Sequence, residues 1–77
     1  MLFRSKAIVW SKYHCQYCEQ AKSLLKQKGI EFEERKIGDG YTKEELLEVV
    51  PNARTVPQIF IDGELIGGFE ELKQRLM

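Results

Sequence analysis

Ala7-Ile8-Val9-Trp10-Ser11-Lys12-Tyr13-His14-Cys15-Gln16-Tyr17-Cys18 is the stretch that decides the fold. Its first four residues are an uninterrupted apolar run, the pattern of a strand buried on both faces. After Cys15 the period changes. Tyr17, Cys18, Ala21, Leu24 and Leu25 recur at three- and four-residue spacing and Gly29 stops the run, which predicts an amphipathic helix with a glycine end. Two cysteines three residues apart, after a strand and opening a helix, read as a redox motif.

The chemistry explains that placement. A disulfide needs its β-carbons within about 4.5 Å, and one helical turn brings residues three apart that close. A nucleophilic sulfur must also be a thiolate, which unpaired amides and the dipole at a helix start favour. Cys15, at the tip, is therefore expected to be the nucleophile. Cys18, one turn inside, is expected to be more buried and to act as the resolving thiol. A structural pair or a zinc site are the other readings of the same spacing. His14 adjoins Cys15, but a structural zinc site wants four protein ligands and the chain has no other cysteine or histidine. We expect no metal and a solvent-facing His14.

Outward from this unit, Glu31 to Ile37 is a weaker strand anchored by Ile30, Phe32 and Ile37. Gly38-Asp39-Gly40 is a turn. Thr42 with Glu45 three residues later forms a capping box, with Tyr41 and Leu46 as its hydrophobic staple, and Pro51 ends that helix. Gln58 to Ile61 and Glu64 to Ile66 flank Asp62-Gly63, a hairpin signal. Gly67-Gly68 breaks the last strand, and Phe69, Leu72 and Leu76 mark a final helix. The first three elements should form a right-handed parallel crossover and the last two strands an antiparallel pair. The expected fold class is α/β, a four-stranded mixed sheet flanked by three helices, in one domain over residues 1–77.

Composition narrows the function. Twelve basic and twelve acidic residues cancel, so no net charge points to nucleic acid. Met1 to Lys6 holds no apolar run of signal-peptide length, and no stretch approaches a membrane span. The expected location is cytoplasmic, where structural disulfides are rare and a cysteine pair needs another explanation.

Three further pieces have two readings each. Lys12, three residues before Cys15, is an ordinary surface lysine or a cation for a ligand carboxylate that also favours the thiolate. Pro57 is a common strand-start proline or part of a site at Thr55-Val56-Pro57. Gly67-Gly68 is a strand-ending turn or the approach to a helix tip whose amides suit a carboxylate. Taken with Cys15-Gln16-Tyr17-Cys18, and with Gly67-Gly68-Phe69-Glu70 last in order, these pieces resemble the dithiol glutaredoxins, which have the thioredoxin fold. The resemblance runs from about Ala7 to Leu72.

The resemblance implies a glutathione-dependent thiol–disulfide oxidoreductase with a redox-active Cys15–Cys18 pair. It acts on disulfide-containing or glutathionylated proteins, as a monomer, without nucleic acid or membrane. By the same resemblance Lys12 binds the glycine carboxylate of glutathione, and Val56, before a cis Pro57, offers its backbone to the cysteine of glutathione. Gly68, Phe69 and Glu70 hold the γ-glutamyl end, with Glu71 beside them, and Tyr17 walls the site. Trp10 reads as core and as a fluorescence reporter near the cysteines. Two residues depart from the family pattern. Gln16 stands where proline is commonest, which predicts a changed redox potential with activity retained. Counting back from Thr55, Glu44 falls where an arginine or glutamine is usual. Its charge would oppose the glycine carboxylate unless Lys43 substitutes. Recharging by thioredoxin reductase, and an iron–sulfur cluster bridged by two chains and two glutathiones, are the rival functions.

Overall fold

A computed structural model describes residues 5–77; Met1 to Arg4, within the segment read above for a leader, lie outside the described residues. The elements run β1 (Lys6–Lys12), α1 (Gln16–Gln27), β2 (Glu31–Ile37), α2 (Lys43–Val49), β3 (Gln58–Ile61), β4 (Glu64–Gly67) and α3 (Phe69–Leu76). The sheet order is β2-β1-β3-β4, with β1 parallel to β2, antiparallel to β3, and β3 antiparallel to β4. This is the expected four-stranded mixed sheet. No helix among the described residues is long and apolar enough to cross a membrane.

Because β1 lies inside the sheet and side chains alternate along a strand, it feeds two separate cores. Ala7 and Val9 join Ala21 and Leu25 of α1, Ile59 of β3 and Leu72 of α3 on one face. Trp10 joins Leu46 and Val50 on the other, under α2. Both faces of the apolar run are thus used, as its lack of alternation predicts. The strand continues two residues past that run, through Ser11 and Lys12, because pairing with Lys36 and Ile37 of β2 carries it on.

The local stop and start signals act as read. Gly29, at φ 72, ends α1: its amide bonds the Lys26 carbonyl while the Ile30 amide bonds that of Leu25, a Schellman closure. Thr42 and Glu45 exchange hydrogen bonds, Glu45 N to Thr42 Oγ1 at 3.1 Å and Thr42 N to Glu45 Oε1 at 2.8 Å. Tyr41 packs in the same cluster as Leu46, closing the staple. Asp62 and Gly63 both have positive φ, 51 and 82, as a two-residue hairpin with the native twist requires. The Asp62 carboxylate then accepts the Lys6 amide at 3.0 Å, tying the hairpin to β1.

Candidate active site around Cys15 and Cys18

Between β1 and α1 the chain reverses through His14, whose φ of 57 lies in the left-handed region. His14 is exposed, and Cys15 after it is the N-cap of α1, with extended backbone. In place of the usual cap oxygen, the Cys15 sulfur accepts the Cys18 amide at 3.1 Å. The two cysteines are joined as a disulfide with their Cα atoms 5.2 Å apart. Cys15 is partly exposed, whereas Cys18 has no exposed surface. The asymmetry expected from their places on the helix is therefore present.

The loop before β3 meets the same sulfur. The Val56–Pro57 peptide is cis, Pro57 is buried, and the Val56 carbonyl oxygen lies 3.9 Å from Cys15 Sγ. Beside it opens a groove of about 200 Å³ whose lining includes Lys12, Lys43, Arg54, Thr55 and Val56 over the apolar side chains of α2. Glu44 does not line it. Lys43 shares a helix face with Leu46 and Leu47, three and four residues on, and the next residue in sequence is rotated away. The count back from Thr55 selects Glu44, but helical phase puts Lys43 in the groove.

On the far side of Pro57 the tip of α3 approaches. Gly67 has φ 121, open to glycine alone in practice, and a Cβ on Gly68 would meet the Pro57 carbonyl oxygen at 3.6 Å. Gly68 has no side chain to cap α3, so the capping is one-sided: the Glu71 carboxylate accepts the Gly68 amide at 2.8 Å. The amides of Phe69 and Glu70, in the first turn, have no intrahelical acceptor. The Glu70 carboxylate lies 3.5 Å from Lys73. The Phe69 and Tyr17 rings stand 6.2 Å apart, and Tyr17 is 59% exposed. Of the seven residues assigned to ligand binding, Val56 approaches Cys15 Sγ and lines the groove with Lys12, Pro57 and Gly68 adjoin at the α3 tip, Phe69 faces Tyr17, and Glu70 pairs with Lys73.

Sequence reasoning missed three features. Arg54 lines the groove, and its signal was adjacency to Thr55. Tyr13 is 52% exposed beside His14, with the Lys36 ammonium 4.7 Å from its ring centre. Under α1, buried Ser11 donates to Glu34 at 2.7 Å, and Lys22 bridges Glu34 at 2.8 Å and Glu19 at 2.7 Å. Burial pushes the Glu34 carboxyl up, but the hydrogen bonds from Lys22 and Ser11 outweigh it and hold the group below its ordinary value. Burial likewise pushes Lys22 down, and its two carboxylate partners more than offset this. Trp10 faces the opposite core, with Arg35 5.3 Å from its ring centre and Tyr41 edge-on at 5.6 Å. It reaches the site through Val56, which packs against the same cluster.

Comparison with known proteins agrees with this geometry. The glutaredoxin family model matches residues 7–66. Glutaredoxin 3 of Escherichia coli K12 is 42% identical over 64 residues, covering 83% of this chain and 77% of that protein. A probable glutaredoxin of Synechocystis is 37% identical, covering 94% and 83%. Among solved structures, glutaredoxin 1 of Francisella tularensis, complexed with cacodylate, superposes with a TM-score of 0.79 at 35% identity, over 92% of this chain and 91% of that one. The buckwheat glutaredoxin–glutathione complex also gives 0.79, at 29% identity, over 92% and 67%. The fold is the thioredoxin fold of those structures, and the chain belongs to the glutaredoxin family.

Proposed function

We propose that this chain reduces protein–glutathione mixed disulfides and protein disulfides with glutathione as reductant, using Cys15 as nucleophile and Cys18 as resolving thiol. The observation that carries the reading is the Cys18 amide aimed at Cys15 Sγ from 3.1 Å at the start of a helix. On reduction, a charge-assisted hydrogen bond and the helix dipole both favour the Cys15 thiolate over the thiol.

In the mixed-disulfide reaction the Cys15 thiolate attacks the glutathione sulfur, and the protein thiolate leaves and takes a proton. A second glutathione thiolate then attacks the sulfur held on Cys15, releasing oxidised glutathione and restoring the Cys15 thiolate. With a protein disulfide, Cys15 attacks first and Cys18 closes the Cys15–Cys18 bond, which glutathione then opens. Exchange is fastest when the attacking thiol is ionised near ambient pH and the leaving thiolate is stable, so one ionised sulfur serves both halves.

The surroundings fit glutathione from end to end. Lys12 and Lys43 suit its glycine carboxylate, and the backbone of Val56 suits its cysteine as a short added strand. The amides of Phe69 and Glu70 suit its γ-glutamyl carboxylate, and the Glu70 side chain its ammonium. The buckwheat relative is a glutathione complex, which supports the same ligand here. The test is turnover of a glutathionylated peptide coupled to NADPH through glutathione reductase. Robust turnover, lost in Cys15→Ser and retained in Cys18→Ser, is expected. Equal loss in both variants, or turnover only with thioredoxin reductase, rejects the assignment.

A further inference from the structure

Among the described residues, four cations outside the groove pair with carboxylates, Lys22 with Glu19 and Glu34, Arg35 with Glu33, Lys73 with Glu70 and Arg75 with Glu64, while Lys6, Lys26, Lys28 and Lys36 form no ion pair. What sets Lys12, Lys43 and Arg54 apart is that they are gathered in one place. Among the described residues they have no ion pair, and all three line the one groove beside Val56. No carboxylate lines that groove, and its floor is the apolar set Ile37, Leu46, Leu47 and Ala53. A low-dielectric wall under like charges lets their field reach further into the groove than from an open surface.

Three cations exceed what glutathione's glycine end requires, since it brings one carboxylate. The groove also runs from Val56, whose carbonyl is 3.9 Å from Cys15 Sγ. A polypeptide cross-linked to Cys15 and paired with Val56 therefore lays the residues next to its cysteine along Lys12, Lys43 and Arg54. We propose that this groove selects protein disulfides with acidic residues beside the attacked cysteine, and that Arg54 and Lys43 are the discriminating side chains. The inference rests on the reading of Cys15 as attacking sulfur. Because the whole chain has no net charge, the preference is local: it follows the residues flanking the disulfide, not the substrate's total charge.

The step needs no glutathione. The Cys15 thiolate attacks one substrate sulfur and the other leaves as a thiolate, which is protonated. The Cys18 thiolate then displaces the first substrate sulfur from Cys15. Two electrons and two protons pass to the substrate, and the Cys15–Cys18 disulfide forms.

The test uses the reduced full chain and two synthetic peptides, each closed by one disulfide. They are identical except for Asp-Asp or Lys-Lys following the first cysteine. Single-turnover rates are read by quenching and alkylation, with no glutathione present. The Asp-Asp peptide should react roughly tenfold faster at about 20 mM salt, and the ratio should fall towards about two near 0.5 M, where the screening length is a few ångströms. Arg54→Glu combined with Lys43→Glu should reverse the order, an outcome that loss of folding cannot produce. Equal rates for the two peptides, or an order unchanged in the double variant, overturns the inference while leaving the proposed chemistry intact. Failure to reduce either peptide, or a small neutral disulfide, overturns the chemistry itself and the inference with it.

Discussion

Replacing Gln16 with proline isolates one amide at the tip of α1. Gln16 is the first helical residue, where proline's fixed φ is already helical and its missing N–H breaks no intrahelical bond. The helix is therefore kept, and so is the Cys18 amide that reaches Cys15 Sγ at 3.1 Å. What is lost is one N–H and its share of the positive field on the sulfur. A charge at a helix terminus is stabilised by about 0.3–1 kcal/mol. For a two-electron couple about 1.4 kcal/mol corresponds to 30 mV, so the change is about 7–20 mV at most. Its sign follows from where the charge resides. Only the dithiol form carries the thiolate, so weakening its support destabilises the reduced state and makes the protein more reducing. The same loss makes Cys15 harder to ionise. The potential is measured by equilibration with reduced and oxidised glutathione, scored by alkylation and by Trp10 fluorescence, and the ionisation by thiolate absorbance. A potential that rises or stays put refutes the reasoning. So does a shift beyond about 60 mV, twice the conversion for a tenfold change, since the Cys18 contact would then not be independent of residue 16.

Three other outcomes are expected. Glu34→Gln should lower Tm by about 5–10 °C near neutral pH, from about 1–2 kcal/mol for charged hydrogen bonds at a partly exposed site. Because the folded carboxyl sits below its ordinary 4.5, the stabilisation is complete above that value and lost as pH falls through the folded one, so the gap should close in acid. A gap that persists there contradicts the pairing. Glu71→Ala should cost about 0.5–1 kcal/mol by uncapping the Gly68 amide, and should raise the KM for glutathione several-fold while kcat holds. An unchanged KM would remove the α3 tip from the ligand site. Cys15→Ser should keep the stability of the reduced protein within about 1 kcal/mol, since serine is a good N-cap for the Cys18 amide, while turnover vanishes; a large loss of stability by chemical denaturation would separate the cap from the sulfur.

Signals carried by neighbouring residues were legible in the sequence. The Thr42–Glu45 box, the Asp62-Gly63 turn and the Gly29 stop are local bargains between side chain and backbone, and each forms where it is written. The extent of β1 was not. Ser11 and Lys12 are polar, and nothing nearby says that Ser11 is buried; its partner Glu34 is 23 residues away and Lys22 is on a different element. The same distance hides the partners of the charges on β2. Glu31 to Ile37 is the strand its apolar anchors predict, but its charges gave no sign of their partners: it is an edge strand, Glu34 meets Ser11 of β1 and Lys22 of α1, and Arg35 meets Trp10 of β1 and Tyr41 ahead of α2.

The site divides along the same line. The cysteines and the order of motifs were visible because their spacing is the chemistry. The choice between Glu44 and Lys43 was not, because counting through a loop loses helical phase, and phase decides which side chain meets the groove. Net charge is silent in a related way, since it averages local patches away. Equal numbers of acids and bases leave local patches open, and the fold sorts them: Lys12, Lys43 and Arg54 line the groove beside Val56, while Glu70 and Glu71 stand at the α3 tip beyond Pro57. A ligand with a bare carboxylate at one end and an ammonium at the other experiences that separation as a direction. The field can therefore orient a small zwitterion with its sulfur over Cys15 even though the protein as a whole neither attracts nor repels it.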